Sequence, residues 1–325
     1  MQRLLCEFLI AALACATLAG ASGAQSPQKT VPLDASSSTQ KGLSLAEGGR
    51  CREALPILKK YAPRAAEKQL KVKGGLAAVR CGLALDQVDD AVSVLLWLTR
   101  EFPADPDVLY VSTHTYSDLS TRFALQLGRT APLSHQAREL NAEALESQGR
   151  WDDAAAEYQQ ILKQEPDLPG IHYRLGRVIL SRPATATTAE DARTEFQAEL
   201  QIDPKNAGAE YVLGELSRQS QQWEDAIEHF SRASKLDANF ADAFLGLGFS
   251  LNSAHRYAEA IPPLETEVRL QPANPTGHYQ LAISYRMTGR EQDAARERAL
   301  FQQTSDKAKK KQGEVQQPQE PAHPQ

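Results

Sequence analysis

The chain copies itself every 34 residues, and nothing else in it limits the possible folds so tightly. Leu213-Gly214, Leu247-Gly248 and Leu281-Ala282 follow one another in steps of 34. Ala226, Ala260 and Ala294 keep the same interval. Upstream, Gly176 to Gly214 and Ala154 to Ala192 both span 38, so one four-residue insertion within 182–188 accounts for both. Ala142 to Gly176 returns to 34. Pro166, Pro204 and Pro272 mark the repeat boundaries, and Ala238 fills the remaining slot. Within one repeat, Phe244, Leu247, Gly248 and Leu251 lie at i, i+3, i+4, i+7, one face of a helix. Ala226, Ile227, Phe230 and Ala233 set a similar stripe on a second helix. Small residues such as Gly248 and Ala260 stand where two helices approach closely, and the boundary prolines stop the second helix. A hairpin this short buries its apolar stripe only by stacking on its neighbours.

These residues resemble the tetratricopeptide repeat (TPR) family. The clearest copy is 241–248 (ADAFLGLG), followed by Leu251, Tyr257, Ala260, Leu264 and Pro272. Five copies with several matching slots each cover 135–304. The resemblance implies an all-α, right-handed α-solenoid of stacked helix-turn-helix units. A weaker register continues upstream over 37–132. Gly42, Leu45, Gly49, Ala54, Leu58 and Tyr61 fit one repeat; Leu76, Val79, Leu83, Ala91, Leu95 and Pro103 fit the next. Between Pro103 and Pro132 the spacing predicts a shortened hairpin, 107–119 and 120–130. The expectation is about eight helix pairs over 37–304. In the last pair Arg298 takes the slot of Phe230 and Leu264, a polar end where nothing stacks.

The ends read differently. Residues 1–24 have the pattern of a secretory signal peptide: Arg3, an apolar run over 8–19, and small residues at Ser22 and Ala24 before Gln25. An uncleaved N-terminal anchor and lipidation at Cys15 are the alternatives. Export to the periplasm or the cell exterior is therefore expected. Residues 25–36 read as a polar linker and 305–325 as a disordered Lys-, Gln- and Pro-rich tail. Composition narrows the function classes. The 325 residues are 42% hydrophobic and 24% charged, which suits a folded chain, and the net charge of −5 lacks the basic footprint of a nucleic-acid binder. No run outside the leader is long enough to span a membrane.

Four cysteines are not a disulfide scaffold. Cys6 and Cys15 fall in the leader, leaving Cys51 at the start of one second helix and Cys81 near the end of the following helix. Antiparallel neighbours bring a start beside an end, so an oxidising compartment favours a Cys51–Cys81 bridge over two buried thiols. Closing about 30 residues would contribute roughly 3.5–4 kcal/mol in the chain-entropy model. No HExxH, CxxC, GxSxG, Walker loop or strand-linked GxGxxG is present, and neither metal nor cofactor is expected. His172 and His278 occupy the family's aromatic slot. Asp89-Asp90 and Asp152-Asp153 fall in the first turns of second helices, where they complement the helix dipole. Gly74-Gly75 signals close packing at most.

In proteins of this resemblance a second stripe on each first helix faces a concave peptide groove. Here it comprises Tyr173 and Arg177; Tyr211, Glu215 and Arg218; Leu245, Phe249 and Asn252; Tyr279, Ile283 and Arg286. Tyr and Arg are enriched at binding hot spots. Glu139, Glu143 and Glu146 would reverse the charge one repeat earlier. The Lys/Asn clamp for an acidic C-terminus is missing. The expected role is a non-enzymatic exported scaffold that binds a peptide or protein segment in an envelope assembly. A spacer without a groove ligand is one alternative. A hydrolase using His114, Tyr116, Asp118 and Ser134 within 105–134 is the other.

Overall fold

The computed structural model describes residues 34–316, and these contain fifteen α-helices, one 3-10 turn and no strand. The leader and most of the linker lie outside the described residues. The chain divides into two compact units, one ending at Ser120 and the other starting at Thr121. In the first, α1 (Ala35–Glu47) pairs with α2 (Cys51–Tyr61) and α3 (Lys68–Ala84) with α4 (Val88–Glu101). Helix α5 (Pro106–Thr130) begins there and runs through the boundary. In the second unit the pairs are α6 (His135–Ser147) with α7 (Trp151–Gln164), α8 (Ile171–Ser181) with α9 (Thr188–Ile202), and α10 (Ala207–Gln219) with α11 (Trp223–Leu236). Two more follow: α12 (Ala241–Ser253) with α13 (Tyr257–Leu270), and α14 (Pro275–Met287) with α15 (Glu291–Gln316). No described helix is long and apolar enough to cross a membrane.

Each pair is built by the residues that define the repeat. A Cβ added at Gly176 would sit 2.9 Å from the Phe196 ring, and one at Gly214 would sit 2.8 Å from Phe230. The glycines let the first helix ride directly on the aromatic of the second. Phe196, Phe230 and Leu264, one per second helix, are wholly buried, while Arg298 in the same slot of α15 is exposed. Between the helices of six of the seven pairs a left-handed residue turns the chain; the α8–α9 connection, which carries the insertion, has none. Gly49, Gly149 and Gly289 take it without a Cβ penalty, and Asp86, Gln221 and His255 take it with one. Asp34, Ser134, Asn206 and Asn274 cap first helices through their side chains. The four-residue insertion falls in the connection after α8, over 182–187.

In the first unit, Gly74 and Gly75 pack in mid-helix, where added Cβ atoms would meet Thr39 and Leu98 at 2.7 Å. The Cys51 and Cys81 sulfurs lie 2.16 Å apart, across the α2–α3 contact.

Two expectations need correction. The shortened hairpin over 107–130 is one continuous helix, α5, so the structure has seven pairs and one single helix. Between Pro106 and Gly128 no Gly, Pro or Asn interrupts the chain, and nothing dictates a turn. The stretch read as a disordered tail also begins inside a helix, since α15 reaches Gln316. Lys, Gln, Glu and Ala are good helix formers, and extending a nucleated helix needs no buried face. Residues 317–325 lie outside the described residues. At the other end α1 starts at Ala35, within the stretch read as linker.

Candidate functional site

The inner stripe of the second unit is largely engaged in packing. Tyr173 meets the ring of Phe196 at 5.6 Å, and its hydroxyl lies against Gly208 of the next first helix. Tyr211 sits between Phe230 (5.7 Å) and Phe240 (4.8 Å). Burial pushes its phenol up to about 12. Tyr279 differs: it leans on Phe301 at 5.4 Å and remains 47% exposed. Glu215 holds Arg218 through two hydrogen bonds of 3.1 and 2.7 Å. The same guanidinium lies 5.4 Å from the ring centre of Phe249 on α12, a cation–π contact between successive first helices. Asn252 donates to the Gln280 carbonyl and side-chain oxygen, both at 3.0 Å, and accepts from Ser284 at 2.8 Å. Arg177 and Arg286 are exposed and form no ion pair among the described residues. The Tyr173 and Tyr211 rings thus serve packing. Tyr279, Arg177 and Arg286 keep free surface.

The acidic stripe of α6 is not free either. Arg174 of α8 reaches back to Glu139 (3.1 Å) and Glu143 (2.7 Å). Glu146 accepts from the Tyr158 hydroxyl at 2.6 Å. Arg174 of the next repeat therefore offsets only part of the negative charge expected along the groove, and Glu146 is held by a neutral hydroxyl of its own repeat.

The histidines of the aromatic slot are held by carboxylates. His172 meets Glu195, and His278 meets Glu297, each at 2.6 Å between first and second helix of a pair. Buried Glu199 accepts from the Gly170 and Tyr173 amides at 2.8 and 3.2 Å, capping α8, and from Asn206 at 3.2 Å. Glu267 stands two repeats later. Its Oε1 accepts from Asn274 at 2.7 Å, while Oε2, facing Gly277, has no hydrogen-bond partner among the described residues. Burial raises this carboxyl to about 7. Neither buried glutamate was legible in the sequence, because a mid-helix Glu reads as solvated.

The proposed hydrolase set resolves into ordinary roles. His114 meets the Tyr110 ring edge-to-face at 4.4 Å, Ser134 caps α6, and Tyr116 and Asp118 are exposed. No group of three or more His, Cys, Asp or Glu suited to a metal exists among the described residues.

The first unit contains a groove that the sequence reading missed. Successive first helices α1, α3 and α5 enclose about 490 Å³. Leu43, Leu76 and Val111 form its apolar floor, and Glu47, Lys73, Arg80 and Asp107 its rim. None of these four charges has an ion-pair partner among the described residues. Tyr110, 66% exposed, also lines the groove. It follows buried Val108 by two residues, as Tyr173 follows buried Ile171, so it occupies the same slot. Treating 107–130 as a broken hairpin had hidden that register.

Comparison with known proteins bears on these hairpins. A family profile described as "Tetratricopeptide repeat" matches residues 123–170 and 139–207, and one described as "TPR repeat" matches 214–254. No curated protein matches the chain. Among solved structures, one described as "Crystal structure of MamA" is 22% identical with a TM-score of 0.47, covering 52% of this chain and 96% of its own. A MamA fragment from Desulfovibrio magneticus RS-1 is 16% identical at 0.47, over 53% and 96%. YrrB, described as "a TPR protein with an unusual peptide-binding site", is 18% identical at 0.48, over 56% and 91%. Proteins of this family typically mediate protein–protein interaction and are typically not enzymes. The helix pairs recur at the predicted register, and the profiles match that register over 123–207 and 214–254, so these residues form tetratricopeptide repeats.

Proposed function

We propose that the chain is a non-enzymatic, exported scaffold that holds a segment of another protein along the inner stripes of its first helices, within an envelope assembly. The observation that carries this reading is the groove of the first unit. Its apolar floor is ringed by four charged side chains with no ion-pair partner among the described residues. Charges left unpaired around a concave apolar surface are what a protein segment with its own mixed charges would complete. Exposed Tyr279 with unpaired Arg286 offers a second contact in the other unit. A periplasmic or extracellular address follows from the leader pattern at 1–24, and an oxidised Cys51–Cys81 pair would suit it.

The test is recovery of partners from envelope extract. Arg80→Glu/Tyr110→Ala and Tyr279→Ala/Arg286→Ala should each reduce recovery. Undiminished recovery by both would remove the groove. A spacer role is favoured by one observation, that Tyr173, Tyr211 and Arg218 are already engaged within the repeats. In that case groove variants would be silent while deletion of whole repeats would not. Intact mass with and without reductant reads the cysteines. Free, alkylatable thiols in the unreduced, denatured protein would contradict the oxidised pair.

A further inference from the structure

Helix α2 presents a second surface to solvent, on the side away from its apolar core residues. Arg52, Pro56, Lys59 and Lys60 follow one another at i, i+4, i+7 and i+8, a single face. Together with Leu85, Gln87 and Asp90 they bound a pocket of about 490 Å³ with Leu55 in its wall. Three cations meet one acid there, and that acid, Asp90, is already paired with Lys59. Lys60 reaches only the Tyr61 ring, 5.0 Å from its centre, and Arg52 has no ion-pair partner among the described residues. The surplus of positive charge stands on a chain whose net charge is −5.

Comparable pockets of the second unit are compensated. In one, Arg150 pairs with Asp153 and Arg182 with Asp152. In the other, Arg232 is shared between Glu210 and Glu228. Packing of helix pairs therefore does not require uncompensated cations at such a place.

Two further features suit a peptide. Pro56 and Leu85 supply apolar surface between the cations, over the buried Leu55. Proline at 56 has no N–H, so the carbonyl of Arg52, itself a lining residue, lacks its usual i+4 donor. The Cys51–Cys81 contact joins the residue before Arg52 to the end of α3, four residues ahead of Leu85, and so ties the two sides together.

We infer that this outer pocket of the first unit is a docking site for an acidic protein segment, with an apolar side chain seated between Arg52 and Lys60. Carboxylates of the segment meet Arg52 and Lys60, the two cations with no ion-pair partner among the described residues. The site is separate from the inner groove and stands whether or not that groove binds.

The experiment uses the full chain and a fluorescein-labelled peptide of alternating glutamate and leucine, with a lysine-for-glutamate peptide as control. Anisotropy should show saturable binding of the acidic peptide, weakened by salt, and none of the control. Arg52→Glu/Lys60→Glu should weaken it by about tenfold or more while leaving the helical circular dichroism unchanged, since both side chains are exposed. Leu85→Ser should weaken it without altering its salt dependence. Equal affinity for the charge-reversed variant would overturn the site. So would failure of the acidic peptide to bind. Binding of vesicles containing phosphatidylglycerol, lost in the charge-reversed variant, with no peptide binding would assign the patch to a membrane surface instead.

Discussion

Glu210 on α10 and His229 on α11 meet at 2.6 Å, and one repeat earlier His172 and Glu195 make the same contact with acid and base exchanged. The slot recurs through the second unit. Arg138 and Glu157 fill it at 2.8 Å, His278 and Glu297 at 2.6 Å, and Phe244 with Pro263 replaces the charges by apolar groups. What the slot requires is complementarity across a half-buried helix contact, not a particular residue on a particular helix.

A swap should therefore be tolerated where a single change is not. Glu210→His would set two imidazoles against each other and should cost about 1–3 kcal/mol. Adding His229→Glu should recover most of that loss in a double-mutant cycle. Chemical denaturation measures it, and additive losses would show that the two side chains act independently.

The approach of first and second helices makes a second prediction. Gly214→Ala should destabilise by about 1–3 kcal/mol despite the better helix propensity of alanine, because the new Cβ would enter the Phe230 ring. A gain in thermal stability from Gly214→Ala alone would contradict the packing.

Glu267 links stability to pH. Its carboxyl is raised to about 7 in the folded chain against an ordinary 4.5, chiefly by burial; Asp242 also raises it, while Asn274 and His278 lower it. Between those values the folded chain holds a proton that the unfolded chain releases, so this contribution is full below about pH 4.5 and fades as pH rises through 7. Glu267→Gln keeps the neutral shape at every pH. It should stabilise the protein at pH 8 by about 1–2 kcal/mol and change little at pH 4.5. Thermal melts at the two pH values measure this; an equal effect at both would show that Glu267 is not protonated in the folded state.

Much of this fold is readable from the chain. Gly214 and Gly248 stand 16 residues before Phe230 and Leu264, and Gly176 stands 20 before Phe196 across the four-residue insertion; the pattern requires paired helices, and the structure places each glycine under its partner. The reading failed at α5, where extrapolating the 34-residue period predicted a turn that the residues themselves do not encode. The site was harder. The inner stripe follows from helix geometry, but whether a ring on it is free depends on neighbours distant in sequence. Phe240, from the next repeat, covers Tyr211, whereas Tyr279 in the same slot is left half exposed. Glu199 and Glu267 were invisible because burial of a mid-helix carboxylate is decided by the following hairpin, through Asn206 and Asn274.

Site-specific photo-crosslinking in living cells tests the central claim most directly. A photoreactive phenylalanine would be placed at Tyr110, at Tyr279 and, as the outer control, at Glu228. The inner-stripe account predicts discrete crosslinks to another protein from 110 and 279 and none from 228. Crosslinks that were absent from both inner positions, or that arose equally from position 228, would contradict it.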